Sequence, residues 1–165
     1  MTGSYHVYTD GSFRSPGCGA WGALILEALS QEPVAEVFSG VWDTTNNRME
    51  MSAVGNALRC LPVGADVTIF ADSRYTIDCF TKWHWGWKRN NWITLTGKPV
   101  SNRDLIEPTL DLLNYYKVKF THVYGHSGNT YNEIVDDRVQ GITSQMKYWR
   151  LNNPTKALTE HPKFW

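Results

Sequence analysis

The sequence predicts an α/β fold in which helices flank a mixed sheet of five strands. Three strand-like segments follow one another near the start of the chain, and helical segments alternate with two more strand-like segments after them. This order is typical of a sheet packed between layers of helices. The length of 165 residues fits one domain with a single hydrophobic core.

The first three predicted strands are residues 4 to 10, 20 to 26 and 34 to 42, which are rich in β-branched, aromatic and other apolar residues. Their short connections predict an antiparallel meander. The glycines of Gly17-Cys18-Gly19-Ala20-Trp21-Gly22 match a dinucleotide-binding pattern, but that pattern requires a following helix and this segment opens a strand. We therefore interpret these glycines as positions where another part of the protein packs closely.

Helical spacing of apolar residues begins at Asn47 and continues to Leu61. Residues 67 to 71 alternate as a fourth strand and residues 117 to 124 as a fifth. The segments 73 to 87, 104 to 116 and 131 to 146 are predicted to be helices. Pro108 within the second of these predicts a kink or a late helix start.

Composition excludes several classes of protein. Hydrophobic residues make up 42% and charged residues 19% of the chain, as in an ordinary globular protein. The longest apolar runs fall far short of the roughly 20 residues of a membrane span, and the N-terminus lacks a signal-peptide pattern. The three cysteines form no CxxC pair, which favours a reducing compartment and predicts a cytoplasmic protein.

Charge is unevenly distributed, although 16 basic residues balance 16 acidic ones. Residues 81 to 103 contain five basic residues, no acidic residue and four of the eight tryptophans. Alternating cations and aromatic rings are typical of a surface that follows a nucleic-acid backbone. The alternative is a solvated helix whose tryptophans fill the core.

Three carboxylates occupy unusual positions. Asp10 ends the first predicted strand and Asp72 ends the fourth, and sites are commonly built at such strand ends. Glu50 lies on or beside the core-facing stripe of the helix that starts at Asn47, where a carboxylate is costly unless a cation or hydrogen-bond donors meet it. Taken singly, the three residues would be explained by a turn, a helix cap and a pair with Arg48. Together they favour a shared cation.

A fourth acidic candidate lies on the last helix. At 100° per residue, Asp136 falls closer to the edge of the apolar stripe than Asp137, which is the better candidate for a solvated charge. Glu133 suits interaction with the helix dipole. Oxygen ligands alone favour Mg²⁺ or Mn²⁺ over zinc, and His122 and His126 belong to a strand and a loop that would not converge on one metal.

With these residues in view, the chain resembles the type 1 ribonucleases H, which cut the RNA strand of RNA/DNA hybrids, and in particular those members that carry a basic protrusion for hybrid binding, which the segment from Trp83 to Trp92 resembles. Five ordered motifs carry the resemblance: Tyr8-Thr9-Asp10-Gly11-Ser12, Thr44-Thr45-Asn46-Asn47-Arg48-Met49-Glu50, Ala71-Asp72-Ser73, Gly125-His126-Ser127-Gly128, and Asn132-Glu133 with Asp136. It implies a ribonuclease H-like fold, with residues 1 to 146 as the catalytic domain and residues 147 to 165 as a partly irregular tail.

The resemblance also implies site residues. Asp10, Glu50, Asp72 and Asp136 would hold two Mg²⁺ ions, which Mn²⁺ can replace. His126, between two glycines, would shuttle protons or help product release, and the alternative is an ordinary surface histidine. The implied substrate-binding residues are Ser15, Thr45, Asn46, Asn47, Arg74, Trp83, Trp87, Lys88 and Arg89.

This chain departs from the family pattern at a few positions. Ser15 stands where Asn is often found and Asp43 where a basic residue is common, which implies a weaker pocket for a phosphate of the DNA strand. Arg74 stands where Gln is common. Arg138-Val139 replaces the usual Leu-Ala, and so the last helix is expected to pack differently from the family pattern, while its metal ligand is expected to be the same.

The expected activity is hydrolysis of the RNA strand of a hybrid by two metal ions, leaving 5′-phosphate and 3′-hydroxyl ends. The expected partner is the hybrid duplex, without a membrane, and the expected state is a monomer. Two alternatives remain: a nuclease of the same fold that acts on another duplex or on junctions, and a hybrid-binding module without catalysis. The presence of all four acidic residues disfavours the second alternative.

Overall fold

A computed structural model describes residues 3–158 and residue 163. One mixed sheet is formed by five strands, which are β1 (Ser4–Arg14), β2 (Cys18–Glu27), β3 (Pro33–Trp42), β4 (Asp66–Ala71) and β5 (Lys117–His122). The order across the sheet is β3-β2-β1-β4-β5. The first three strands are antiparallel neighbours, whereas β4 runs parallel to both β1 and β5. The predicted five-stranded mixed sheet is therefore confirmed.

The first strand is longer than its sequence predicts. It continues past Asp10 to Arg14 because its antiparallel pairing with β2 extends to the pair Arg14 and Cys18. Its parallel pairing with β4 stops earlier, at Thr9 and Ala71. The prediction that Asp10 ends a strand is thus wrong for β1, yet Asp10 still lies just beyond the end of the β1–β4 pair.

Helices cover both faces of the sheet. Helix α1 (Asn46–Arg59) and helix α4 (Arg103–Leu113) pack against one face, in a core that contains Val7, Ile69 and Ile106. Helix α5 (Thr130–Asn152) covers the other face, in a second core that contains Tyr8 and Val139. Val7 and Tyr8 serve opposite cores because neighbouring strand residues point to opposite faces.

The segment predicted as one helix from residue 73 to 87 has three parts. Helix α2 (Arg74–Asp78) is followed by a π-helical turn at Cys79–Trp83 and then by helix α3 (His84–Arg89). A π-helical turn inserts an extra residue and rotates everything that follows it, and such turns are frequent near functional sites. This rotation is not encoded in a regular apolar spacing.

Two other helices differ from their predictions. Helix α4 begins at Arg103 and runs through Pro108, so the predicted late start is wrong; burial of Ile106 and Leu110 offsets the backbone hydrogen bond that a proline removes. Helix α5 continues beyond Met146 to Asn152, so a domain boundary at residue 146 would cut through it. Within the predicted tail, residues 159–162 and 164–165 lie outside the described residues.

The packing of α5 is compatible with its unusual Arg138-Val139 pair. Val139 is fully buried against the sheet. The Arg138 guanidinium lies 3.9 Å from the centre of the Phe38 ring and pairs with Glu36 at 3.1 Å. Arg138 thus covers an aromatic ring on β3 with its charged end at the surface.

Glycines of β2 lie under close-packed side chains. A Cβ atom on Gly22 would collide with the Phe38 ring, and one on Gly19 would collide with a methyl group of Thr44. This confirms that the glycines of the segment from residue 17 to 22 allow close approach. No helix among residues 3–158 combines the length and the apolar character needed to cross a bilayer.

Candidate active site

Three carboxylates meet at the end of the β1–β4 pair. One oxygen from each of Asp10, Glu50 and Asp72 lies within 4.8 Å of the others. Asp10 comes from β1, Asp72 follows the last residue of β4, and Glu50 lies in the first turns of α1. Residues that are far apart in sequence are therefore brought to one point by the sheet and by one helix.

The start of α1 sets the position of Glu50. The Thr45 hydroxyl accepts a hydrogen bond of 3.2 Å from the backbone N–H of Arg48, which caps the helix. Helix α1 then approaches β1 at Gly11, where an added Cβ atom would lie 2.5 Å from the Glu50 backbone nitrogen. Only glycine permits this contact, so Gly11 controls the separation of Asp10 and Glu50.

Replacing Gly11 by alanine should therefore push α1 away from β1. We expect Gly11→Ala to lower the free energy of unfolding by about 1–3 kcal/mol, the usual cost of an overpacked contact, and to weaken binding of divalent cations. Urea unfolding and calorimetric titration with Mg²⁺ would measure both effects. The control is Gly141→Ala on α5, where an added Cβ meets no atom within 4 Å. Parent-like metal binding by Gly11→Ala would contradict this role.

Burial and mutual repulsion disfavour the charged forms of the three acids. The pKa of Asp10 is raised by its burial and by the nearby charges of Glu50 and Asp72. Burial also raises the pKa of Glu50 and of Asp72, with further contributions from neighbouring carboxylates. Without a cation, the cluster therefore holds protons that isolated carboxyl groups would release at neutral pH.

The surrounding protein provides little compensation for these acids. Arg48 forms a two-pronged pair with Asp104, at 2.7 and 2.9 Å, and so the alternative of an Arg48–Glu50 pair is wrong. Within the described residues, Asp10 Oδ2 and Glu50 Oε2 are buried without a hydrogen-bond partner. Buried carboxylate oxygens without donors, in an all-oxygen set, fit a hard divalent cation such as Mg²⁺ or Mn²⁺.

Asp136 lies beside the cluster of three acids. Its side chain is 18% exposed, whereas Asp137 is exposed, as the helical angles predict. Its negative charge contributes to the raised pKa of Asp72. The Gln140 amide donates to both Asp136 carboxylate oxygens, at 3.0 and 2.9 Å. His126 Nδ1 lies 4.0 Å from Asp136 Oδ2 on an exposed loop, and His126 has a left-handed backbone.

Gln140 was missed by the sequence analysis. The i, i+4 spacing from Asp136 on a helix is the signal that would have found it. Asn132 is a second buried polar residue near the start of α5, and its side-chain oxygen lacks a hydrogen-bond partner among the described residues. Its backbone N–H bonds to the side chain of Asn129, which caps the helix.

The predicted substrate-binding residues nearest the acids are exposed. They lie on three connections of the chain, and they are Ser15 in the β1–β2 turn, Thr45, Asn46 and Asn47 at the start of α1, and Arg74 at the start of α2. Asp43 lies next to the β1–β2 turn, where its backbone N–H donates to the Gly17 carbonyl at 2.8 Å. These exposed polar residues are termed the polar rim.

The basic, tryptophan-rich segment, residues 82–100, is termed the handle. Trp83 is 42% exposed and Trp87 is half-buried, while Lys88 and Arg89 are exposed. Trp92 is only 5% exposed and belongs to the core. Each of the two interpretations of this segment therefore holds for part of it: Trp92 fills the core, Trp87 packs partly buried against it, and Trp83 and Trp85 lie exposed among cations.

Comparisons with known proteins agree with this fold. The family model RNase H matches residues 2–156. Among curated relatives, ribonuclease H of Novosphingobium aromaticivorans is 40% identical over 131 residues, covering 79% of this chain and 90% of the relative. Ribonuclease HI of Neisseria meningitidis serogroup B is 39% identical over 138 residues, covering 83% and 93%.

Solved structures share the fold. LC9-RNase H1, described as a type 1 RNase H with the type 2 active-site motif, matches with a TM-score of 0.76 and 21% identity over 100% of this chain and 93% of that one. The foamy viral protease-reverse transcriptase in complex with RNA/DNA hybrid matches with a TM-score of 0.73 and 18% identity, covering 87% and 20%. The family match and the curated relatives show that this chain belongs to the type 1 ribonuclease H family of hydrolases.

Proposed function

We propose that this protein is an endoribonuclease that hydrolyses the RNA strand of RNA/DNA hybrids. The observation that carries the proposal is the cluster of Asp10, Glu50 and Asp72, in which one oxygen from each residue lies within 4.8 Å of the others and Asp10 and Glu50 are buried. The names of the curated relatives and the hybrid in the viral structure with this fold support the substrate class.

Asp10, Glu50 and Asp72 would hold one divalent cation, and Asp136 would complete the site for a second, with Mg²⁺ as the expected ion and Mn²⁺ as a substitute. Two bound cations would supply an activated water for in-line attack and stabilise the departing 3′ oxygen, so that products carry 5′-phosphate and 3′-hydroxyl ends. The fixed positions of the carboxylates on β1, β4 and α1 keep this site preorganised.

The polar rim would distinguish the two strands. Asn47 and Arg74 flank the acids and would contact the minor groove, where 2′-hydroxyl groups mark the RNA strand. Ser15, Thr45 and Asn46 would face a phosphate of the DNA strand. On the handle, Trp83 and Trp87 would lie along the DNA strand while Lys88 and Arg89 neutralise phosphates.

Cleavage of matched RNA/DNA, RNA/RNA and DNA/DNA duplexes in Mg²⁺, with analysis of the product ends, tests the proposal. We expect cleavage of the hybrid alone, in its RNA strand. Preferred cleavage of another duplex would favour a nuclease of the same fold with a different substrate. Binding of the hybrid without any cleavage would instead favour a non-catalytic module.

The salt dependence of binding tests the role of the handle. Replacing Lys88 and Arg89 together by Ala should weaken hybrid binding and reduce the slope of log affinity against log salt by roughly one to two. The rate of the chemical step should be nearly unchanged. The matched control replaces Lys117 and Lys119, which are exposed on β5, and should leave the slope as in the parent. An unchanged slope for the handle variant would show that Lys88 and Arg89 only face solvent.

Gln140 is proposed to position Asp136, because its amide donates to both carboxylate oxygens. Gln140→Leu removes these hydrogen bonds, and we expect the Mg²⁺ concentration for half-maximal cleavage to rise by about tenfold, as for other residues that orient metal ligands. Calorimetric titration with Mg²⁺ in the absence of hybrid gives an independent measure. Gln145→Leu, at an exposed position of the same helix, is the control. A parent-like Mg²⁺ dependence would rule out this role.

Two expectations stay predictions. Cys18, Cys60 and Cys79 are all unpaired, which supports the proposal that the protein works in a reducing compartment such as the cytoplasm. A monomeric state can be checked by light scattering at micromolar concentration.

A further inference from the structure

The handle contains a large cleft of which the proposed function uses only Trp83, Trp87 and Arg89, and not Trp85, Ile93 or Leu95. Its volume is about 940 Å³, and its walls include Trp83, Trp85, Ile93 and Leu95. Trp85 is 60% exposed and the Leu95 side chain is fully exposed. Contiguous exposed apolar surface of this kind is unusual in a monomer and marks a binding site.

Core contacts hold the cleft in shape. The Trp92 backbone N–H donates to the Trp87 carbonyl at 2.7 Å, and the Val100 N–H donates to the Trp92 carbonyl at 2.9 Å. Because the Trp92 ring is buried, these bonds tie the loop after α3 to the core. The Trp87 ring centre lies 5.9 Å from that of Trp83 and 6.1 Å from that of Trp92. The cleft is therefore preformed.

The charge around the cleft is positive. Lys82 and Arg89 line it, and Lys88 Nζ lies 5.9 Å from the centre of the Trp85 ring. None of its lining residues is acidic. Of the acids that flank residues 81–103 in sequence, Asp104 pairs with Arg48, away from the cleft, whereas Asp78 pairs with Lys82 of the cleft itself. Lys88 and Arg89 are therefore the uncompensated cations at the cleft among the described residues. An occupant with negative charge and flat apolar surfaces would complement this cleft.

A double helix does not meet that description, because its bases are stacked on each other and present only their edges. Unpaired nucleotides expose flat base faces as well as phosphates, and indole rings bind such faces by stacking. We therefore propose that the cleft at Trp85 and Leu95 binds the unpaired nucleotides that flank an RNA/DNA hybrid. This inference rests on the proposed function, which it extends from the duplex to the single strand beside it.

Binding of single strands can be measured apart from catalysis. In EDTA, fluorescence anisotropy would follow the binding of a labelled twelve-nucleotide oligothymidylate and of the corresponding oligouridylate. The variant carrying Trp85→Ala and Leu95→Ser should bind both at least about tenfold more weakly, as expected for the loss of one base–aromatic stack. The control variant carries Tyr115→Ala and Leu29→Ser, which alter exposed apolar residues outside the handle. Leu95→Ser alone keeps the test valid if the double variant is unstable.

Cleavage in Mg²⁺ then tests the role of the flank. The parent should bind a hybrid with a single-stranded extension more tightly than a blunt one, and the double variant should lose this difference while cleaving the blunt hybrid at the parent rate. Extensions on the DNA strand and on the RNA strand show which strand enters the cleft.

The proposal is wrong if the oligonucleotides do not bind the parent, as a cleft for a protein segment would predict, or if the double variant binds them normally. It is also wrong if the double variant loses as much affinity for the blunt hybrid as for the extended hybrid, since the cleft would then belong to the surface that binds the duplex. Failure of the parent to cleave any hybrid would instead refute the proposed function and leave the EDTA result unaffected.

Discussion

Asp72→Asn should abolish cleavage of the hybrid in Mg²⁺ while leaving the fold intact. Asp72 follows the last residue of β4, and its carboxylate belongs to the cluster of three acids. Asn keeps the size of the side chain but removes the charge that would hold a cation, and so the chemistry should be lost without a cavity. Cleavage assays with matched circular dichroism spectra would measure both. Cleavage by Asp72→Asn at a rate near that of the parent would refute the assignment of the active site.

The matching variant Asp10→Asn should also be inactive, and it should reveal the electrostatic strain of the site. The raised pKa of Asp10 means that the folded protein binds a proton there that the unfolded chain releases above about pH 4. Without metal, the contribution of Asp10 to the stability of the parent should therefore be fully present below pH 4 and should be lost as the pH rises. Asp10→Asn should remove this loss.

Urea unfolding in EDTA at several pH values would measure the effect. We expect Asp10→Asn and the parent to be similar near pH 4, and the variant to be more stable at pH 7 by at least about 1 kcal/mol, the equivalent of nearly one pKa unit. Adding Mg²⁺ should stabilise the parent, because the ion binds the folded state, and should stabilise the variant much less. A variant that is less stable than the parent at pH 7 in EDTA would show that repulsion among the acids is not the dominant effect.

Local patterns in the sequence were sufficient to predict the sheet and the burial of Glu50. Alternation placed β4 and β5 within a few residues of their observed ends, and helical spacing placed Glu50 on the buried face of α1. The same geometry separated half-buried Asp136 from exposed Asp137. These predictions succeeded because each depends on the period of one regular element.

Features that depend on contacts between elements were not predictable in this way. The continuation of β1 to Arg14 comes from its pairing with β2, and the extension of α5 accompanies the contact of Trp149 with Trp42. The π-helical turn at Cys79–Trp83 changes which side chains of the handle face the core, and no spacing rule anticipates it.

The position of His126 gives the second large expected effect. Its ring lies outside the cluster of acids, on an exposed loop, with Nδ1 4.0 Å from the Asp136 carboxylate. Imidazole groups commonly serve as general acids and bases, and we propose that His126 transfers protons at the edge of the site. His126→Ala should lower the steady-state rate by about 10²-fold, the low end for general acid–base catalysis, without changing Mg²⁺ or hybrid affinity.

Single-turnover and steady-state measurements on one hybrid separate the two possible roles of His126. If the imidazole moves a proton in the chemical step, both rates should fall together. If it helps product release, single-turnover cleavage should be nearly normal and only steady-state turnover should fall. Ser127→Ala, on the same exposed loop, is the control and should match the parent in both. An Asp72→Asn variant cannot show such a split because it loses the chemical step itself. Parent-like rates of His126→Ala in both regimes would show that His126 is an ordinary surface histidine.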